Sequence, residues 1–119
     1  MLLEYFLKGE CNMQCSVRHA PNPSGYGTCI STSGSTLKAS ASAGSGSYNN
    51  FEIIIIRRLQ SGTSRVYSRK GSFPPSRGNY NTEWKNVPTG TYQSHLNLFD
   101  HSGNPVGGYT TGWHNHIAR

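Results

Sequence analysis

The chain has 119 residues and carries 11 Lys and Arg against 5 Asp and Glu, a formal charge of +6. That length holds one modest core, and no apolar run approaches the roughly 20 residues a membrane-spanning helix needs. Only 34% of residues are hydrophobic and 13% charged, with 14 Gly, 6 Pro and 7 Tyr, usage that disfavours a helical bundle and fits a loop-rich β-sandwich or barrel.

Residues 1–29 read as an irregular N-terminal arm and 30–119 as a sandwich domain. Leu2 to Leu7 is a short apolar piece, too short for a signal peptide and interrupted by Glu4. The chain is therefore expected either in the cytoplasm or as a mature form whose leader is absent. The Ser/Thr/Asn/Gly/Tyr-rich usage points to the second, a secreted or cell-surface protein. Cys11, Cys15 and Cys29 then predict one disulfide and a leftover thiol. Cys15–Cys29 and Cys11–Cys29 both tie the arm to the first strand; Cys11–Cys15 is disfavoured, because four extended residues exceed the roughly 7 Å that a disulfide spans between Cα atoms. The odd sulfur, or strand donation by the arm, offers a route to a homo-oligomer. Under reducing conditions the three thiols with His19 form a zinc candidate, although their spacing matches none of the common zinc fingers. Ala20 to Gly27 is too dense in Pro and Gly for either periodicity.

Thr36 to Ala43 alternates Leu37, Ala39, Ala41 and Ala43 with Lys38, Ser40 and Ser42, a strand with a small-residue face turned inward. Gly44 to Ser47 reads as a flexible loop. Phe51 to Ile56 shows no alternation and is β-branched, which predicts a central strand apolar on both faces, one of them needing a cover from the arm or another subunit. Gln60 to Ser64 is a turn, Arg65 to Lys70 a returning strand and Gly71 to Gly78 a rigid exposed loop. Tyr80, Thr82 and Trp84 alternate with Asn81, Glu83 and Lys85, giving another strand.

The last strands form a hairpin closed by Asp100-His101-Ser102-Gly103-Asn104-Pro105. Setting Phe99 opposite Val106 places Leu98 against Gly107, Leu96 against Tyr109, Tyr92 against Trp113 and Thr91 against His114. The large apolar partners then share one face, with Tyr92 and Trp113 in the core. Six or seven strands result, at the spacing of an antiparallel two-sheet sandwich.

Around Trp84-Lys85-Asn86-Val87-Pro88-Thr89-Gly90-Thr91-Tyr92, followed by Leu96, Leu98, Asp100 and Gly103-Asn104, the chain resembles the Ig-like β-sandwich modules of bacterial surface and secreted proteins. The resemblance covers roughly residues 80–113 and implies an Ig-like, all-β sandwich in which a Pro-x-Gly-x-Tyr corner launches the penultimate strand. Such corners serve many unrelated binding, anchoring and structural modules, so the resemblance speaks to fold and scarcely to function.

Three sets of residues invite chemistry. His114 and His116 lie two apart, so on a strand both point one way, as in a simple zinc or copper pair. A third ligand from His95 would stand about 13 Å away at the usual strand rise, which leaves the two as a surface pair near the terminus. Catalysis is not expected, because no nucleophile elbow occurs and the five acids supply no convincing carboxylate pair. The basic stretch is the binding candidate: Arg65, Tyr67 and Arg69 alternate on one strand face, with Arg57, Lys70, Phe73, Arg77 and Tyr80 near in sequence. Arg forks and aromatic rings suit phosphate, sugar or single-stranded bases. Tyr109, Trp113 and Trp84 would make a sugar platform if exposed, but the hairpin register buries them.

The expectation is a secreted, non-catalytic binding or assembly module without a cofactor. It would dock on an anionic polymer, glycan or cell-envelope surface through that basic face, nucleic acid being less favoured. Two rivals stand beside it: a small cationic antibacterial or toxin-like protein, and a zinc- or copper-binding protein using His114 and His116.

Overall fold

The computed structural model describes residues 13–18, 21–44 and 48–119. Cys11, His19, the apolar piece 2–7 and the loop 45–47 lie outside the described residues. Nine strands follow in order: β1 (Met13–Cys15), β2 (Gly27–Ser33), β3 (Thr36–Ser42), β4 (Asn50–Leu59), β5 (Gly62–Ser72), β6 (Tyr80–Trp84), β7 (Gly90–Phe99), β8 (Pro105–Thr110) and β9 (His114–His116). Two antiparallel sheets pack face to face, one ordered β1-β2-β3-β6 and the other β5-β4-β7-β8, with β9 also paired to β7. The all-β two-sheet sandwich expected from composition is therefore present, with no helix among the described residues.

Strand number exceeds the six or seven expected, for local reasons. β2 carries Thr28, Ile30 and Thr32 on its inward face, a half-polar set that does not read as a buried strand, and the 29/30 boundary of the supposed arm falls inside it. β1 adds to its edge with Cys15 opposite Cys29, and these two form the disulfide. β3 alternates as its sequence predicts, with Leu37, Ala39 and Ala41 buried.

β4 lies between β5 and β7, so both its edges are paired. Phe51, Ile53 and Ile55 enter the core at 2% exposure or less, each such side chain contributing about 1.5–3 kcal/mol by leaving water. On the other face Ile54 is buried and Ile56 half-buried, flanked in register by Ser68 and His95 and by Arg65 and Gln93. The ladder slips at Ile55/Ile56, where Tyr67 faces Ile55 but Arg65 faces Ile56, leaving Val66 as the extra residue of a β-bulge.

The final hairpin follows the expected register through Leu98–Gly107, Leu96–Tyr109 and His95–Thr110. It departs at both ends. Phe99 faces Pro105 instead of Val106. Beyond Thr110, three residues, Thr111 to Trp113, span the two β7 positions Gln93 and Ser94 before pairing resumes as Tyr92–His114. Thr111 causes the break: its hydroxyl accepts the Ser94 amide proton at 3.0 Å, and its own amide donates to the Ser94 carbonyl at 3.0 Å. One inserted residue reverses the parity of everything after it. Trp113, expected in the core, is thus turned outward and half-buried, while His114 and His116, expected at the surface, are 1% and 0% exposed.

Tyr92 does occupy the core at 1% exposure, and its hydroxyl donates to the Pro88 carbonyl at 2.7 Å. That is the bond through which a tyrosine stabilises a sandwich corner from inside. At the opposite end, Tyr26, Phe51, Phe73 and Tyr80 form an aromatic cluster with ring centroids 4.7 to 6.0 Å apart along its contacts. Gly44 closes over this cluster. A Cβ there would stand 2.2 Å from the Ser24 carbonyl oxygen and 2.7 Å from the Tyr26 ring, so only glycine fits.

Candidate functional site

The eight residues of the basic stretch do not form one face; the structure divides them among four places. Phe73 is 6% exposed and belongs to the aromatic cluster, and Tyr80 packs edge-on against Phe51 at 4.9 Å. Both are corrections to their role as surface contacts, and the 71–78 loop is anchored by Phe73 rather than wholly exposed. Arg77 is also structural. Its guanidinium donates to the Tyr26 hydroxyl at 2.6 Å, the Gly44 carbonyl at 2.9 Å and the Asn49 side chain, and lies 5.8 Å from the Tyr26 and Phe73 ring centroids. It ties three loops together where the sequence suggested a free cation.

Tyr67 and Arg69 point to the inner side of β5, where the two sheets' edges meet. Tyr67 stacks on Trp84 at 5.5 Å, and Arg69 lies 5.6 Å from the same indole. The three close the open flank of the sandwich. Arg57 stands opposite Tyr92, 5.6 Å over its ring, and donates to the Thr89 carbonyl at 3.0 Å. Arg65, reversed by the Val66 bulge, faces the other way from Tyr67 and Arg69 and pairs with Glu52 at 3.0 Å. With Arg65 58% exposed, that pair contributes little to stability.

A different set gathers on the outer face of the β5-β4-β7-β8 sheet. Arg58, Arg65 and Lys70 surround the apolar positions Ile54 and Ile56, and Trp113 lies beneath the Arg58 guanidinium at 5.4 Å. Beside Lys70 an open depression is lined by Asn50, Glu52, Ser72, Phe99 and Gly103. Only Arg65 and Lys70 of this face were singled out from sequence. Trp113 read as core, and the one available signal for its outward turn was Gly112 beside Thr111, a pair suited to a bulge.

His114 and His116 converge on one hydroxyl. Thr32 Oγ1 lies 2.6 Å from His114 Nε2 and 2.8 Å from His116 Nδ1, while His116 Nε2 lies 3.0 Å from the Val87 carbonyl oxygen. Three of the four ring nitrogens are thus committed to protein partners. Among the described residues no group of three His, Cys, Asp or Glu side chains is arranged to hold a metal. Thr32 had no sequence signal, since nothing in the chain marks a threonine that will meet residues more than 80 positions away.

Burial, with the neighbouring His116 second, pushes His114 below its ordinary pKa of 6.5. The folded chain therefore binds fewer protons than the unfolded chain as pH falls through 6.5. Stability is complete above that value and declines from there towards the depressed folded value. The melting temperature is expected to drop from pH 7.5 to pH 5, and to drop less in His114→Gln, as read by circular dichroism.

No protein-family model and no curated protein matches the chain.

Proposed function

We propose that the protein is a secreted, non-catalytic, Ig-like binding module that docks on an anionic polymer or glycan-bearing surface through the outer face of its β5-β4-β7-β8 sheet. One observation carries this reading: Arg58, Arg65 and Lys70 ring Ile54, Ile56 and the half-buried Trp113 on one sheet face. Cations attract an anionic chain over several ångströms, and Arg adds directional hydrogen bonds to sulfate, phosphate or carboxylate. The half-buried Ile56 and the Trp113 indole suit the hydrophobic faces of sugar rings. The Cys15–Cys29 disulfide accords with an oxidising compartment, and the Tyr92 corner with an Ig-like sandwich.

The test is retention on an immobilised anionic polysaccharide across a salt series. Replacing Arg58, Arg65 and Lys70 with Ser is expected to weaken retention and to reduce the logarithmic salt slope by roughly 2. Lys38→Ser, on the outer face of the other sheet, should change it little. Equal losses from both variants would reduce the effect to net charge and discard the face. Leakage of dye from anionic vesicles would favour a membrane-damaging protein instead.

A further inference from the structure

The short C-terminal strand depends on side chains as much as on backbone. β9 meets β7 at only three positions, Gly90–His116, Thr91–Asn115 and Tyr92–His114, and the His114 and His116 rings bind it to Thr32 on the facing sheet. Proton positions follow from the partners. The Val87 carbonyl can only accept, so His116 Nε2 carries hydrogen and, in the neutral ring, His116 Nδ1 accepts the Thr32 hydroxyl proton. With its one hydrogen committed, Thr32 Oγ1 accepts from His114 Nε2, which leaves His114 Nδ1 a bare lone pair. That atom is buried and lacks a partner.

Every bond in this chain is satisfied in one protonation state only. A proton added at His114 Nδ1 would be a buried donor with no acceptor, which folded proteins rarely tolerate. Among the described residues, no Asp or Glu side chain is placed to compensate such a proton. β7 contributes Tyr92, whose ring meets His116 edge-on at 5.7 Å, and β4 contributes Arg57 over that Tyr92 ring. Trp113 brings the Arg58 guanidinium, and β2 contributes Thr32. The described Asp and Glu side chains lie elsewhere: Glu52 pairs with Arg65, Glu83 faces Lys38 on the other sheet, and Asp100 caps the distal turn by accepting from the Ser102 and Asn104 amides.

We propose that His114, Thr32 and His116 form an acid-sensitive latch, which holds β9 against the sandwich while the His114 ring is neutral and releases it when that ring gains a proton. Release bares the Gly90–Tyr92 stretch of β7 while the rest of the sandwich stays closed. The latch is independent of the anionic-surface reading. The lowered pKa of His114 agrees with it, since the closed form resists the proton that the open form takes up.

Residue-resolved amide exchange of the full chain, expressed as protection factors at pH 7.5, 6 and 5, tests it. The β9 amides should lose protection as pH falls below about 6.5, by at most roughly tenfold per pH unit from His114 alone, while β4 amides hold theirs. His114→Gln, an amide that does not titrate, should flatten the β9 response. Thr32→Ser should keep it and Thr32→Val should lower β9 protection already at pH 7.5. The latch is overturned if β9 protection is as constant as that of β4, if both fall together as global unfolding, or if His114→Gln keeps the full slope. Should the variants fail to fold, the comparison of β9 with β4 in the parent chain decides alone.

Discussion

Tyr92→Ala is expected to lower the unfolding free energy by about 3–5 kcal/mol, whereas Trp113→Ala should change it by about 1 kcal/mol or less. The two aromatics are neighbours across the last strand pair, and simple alternation would put both in the core. Tyr92 is 1% exposed, touches His116 edge-on at 5.7 Å and anchors the corner through Pro88. Its loss opens a cavity and frees the Pro88 carbonyl. Trp113 follows the Thr111 bulge, and its indole stacks under Arg58 at the surface. Tyr92→Phe separates the two contributions, since losing the hydroxyl alone should cost about 1 kcal/mol. Chemical denaturation of the three variants checks the order; equal large losses at both positions would mean that the strand pairs without the inserted residue.

The second large effect is the disulfide. Cys15 and Cys29 are 14 positions apart and directly opposed across β1 and β2. Closing a loop of that size removes unfolded-state freedom worth about 3 kcal/mol in the chain-entropy description. The Cys15→Ala, Cys29→Ala double variant is therefore expected to melt at a clearly lower temperature than the oxidised parent. Reductant should shift the parent towards the variant and leave the variant unmoved. A parent insensitive to reductant would show that the bond does not form in solution.

Legibility from sequence follows the strength of the period-two pattern. β3 and β7 keep strict alternation of large or small apolar residues with polar ones, and each lies where its pattern says. The Ile run of β4 reads correctly as a central strand because no polar face interrupts it. Parity errors account for most of what was missed. A single unpaired residue at Val66 moves Arg65 to the other face from Tyr67 and Arg69, and the extra residue among Thr111 to Trp113 exchanges the places of Trp113 and the two histidines. Neither bulge leaves a composition signal strong enough to read in advance. β2 was hidden for a different reason: its inward threonines are satisfied by partners distant in sequence, Thr28 by the Ser40 carbonyl and the Ser94 hydroxyl, Thr32 by the histidines. Arg77 shows the same limit, since a cation in a basic stretch gives no hint that two other loops will close around it.

β5 borders its sheet along 11 residues with its outer edge bearing no neighbouring strand among the described residues. A long, flat border of this kind would template the addition of further molecules and seed fibrils. The irregularity at Val66 and the positive charges of Arg65, Arg69 and Lys70 along the same border oppose that growth by kinking the template and repelling an identical copy.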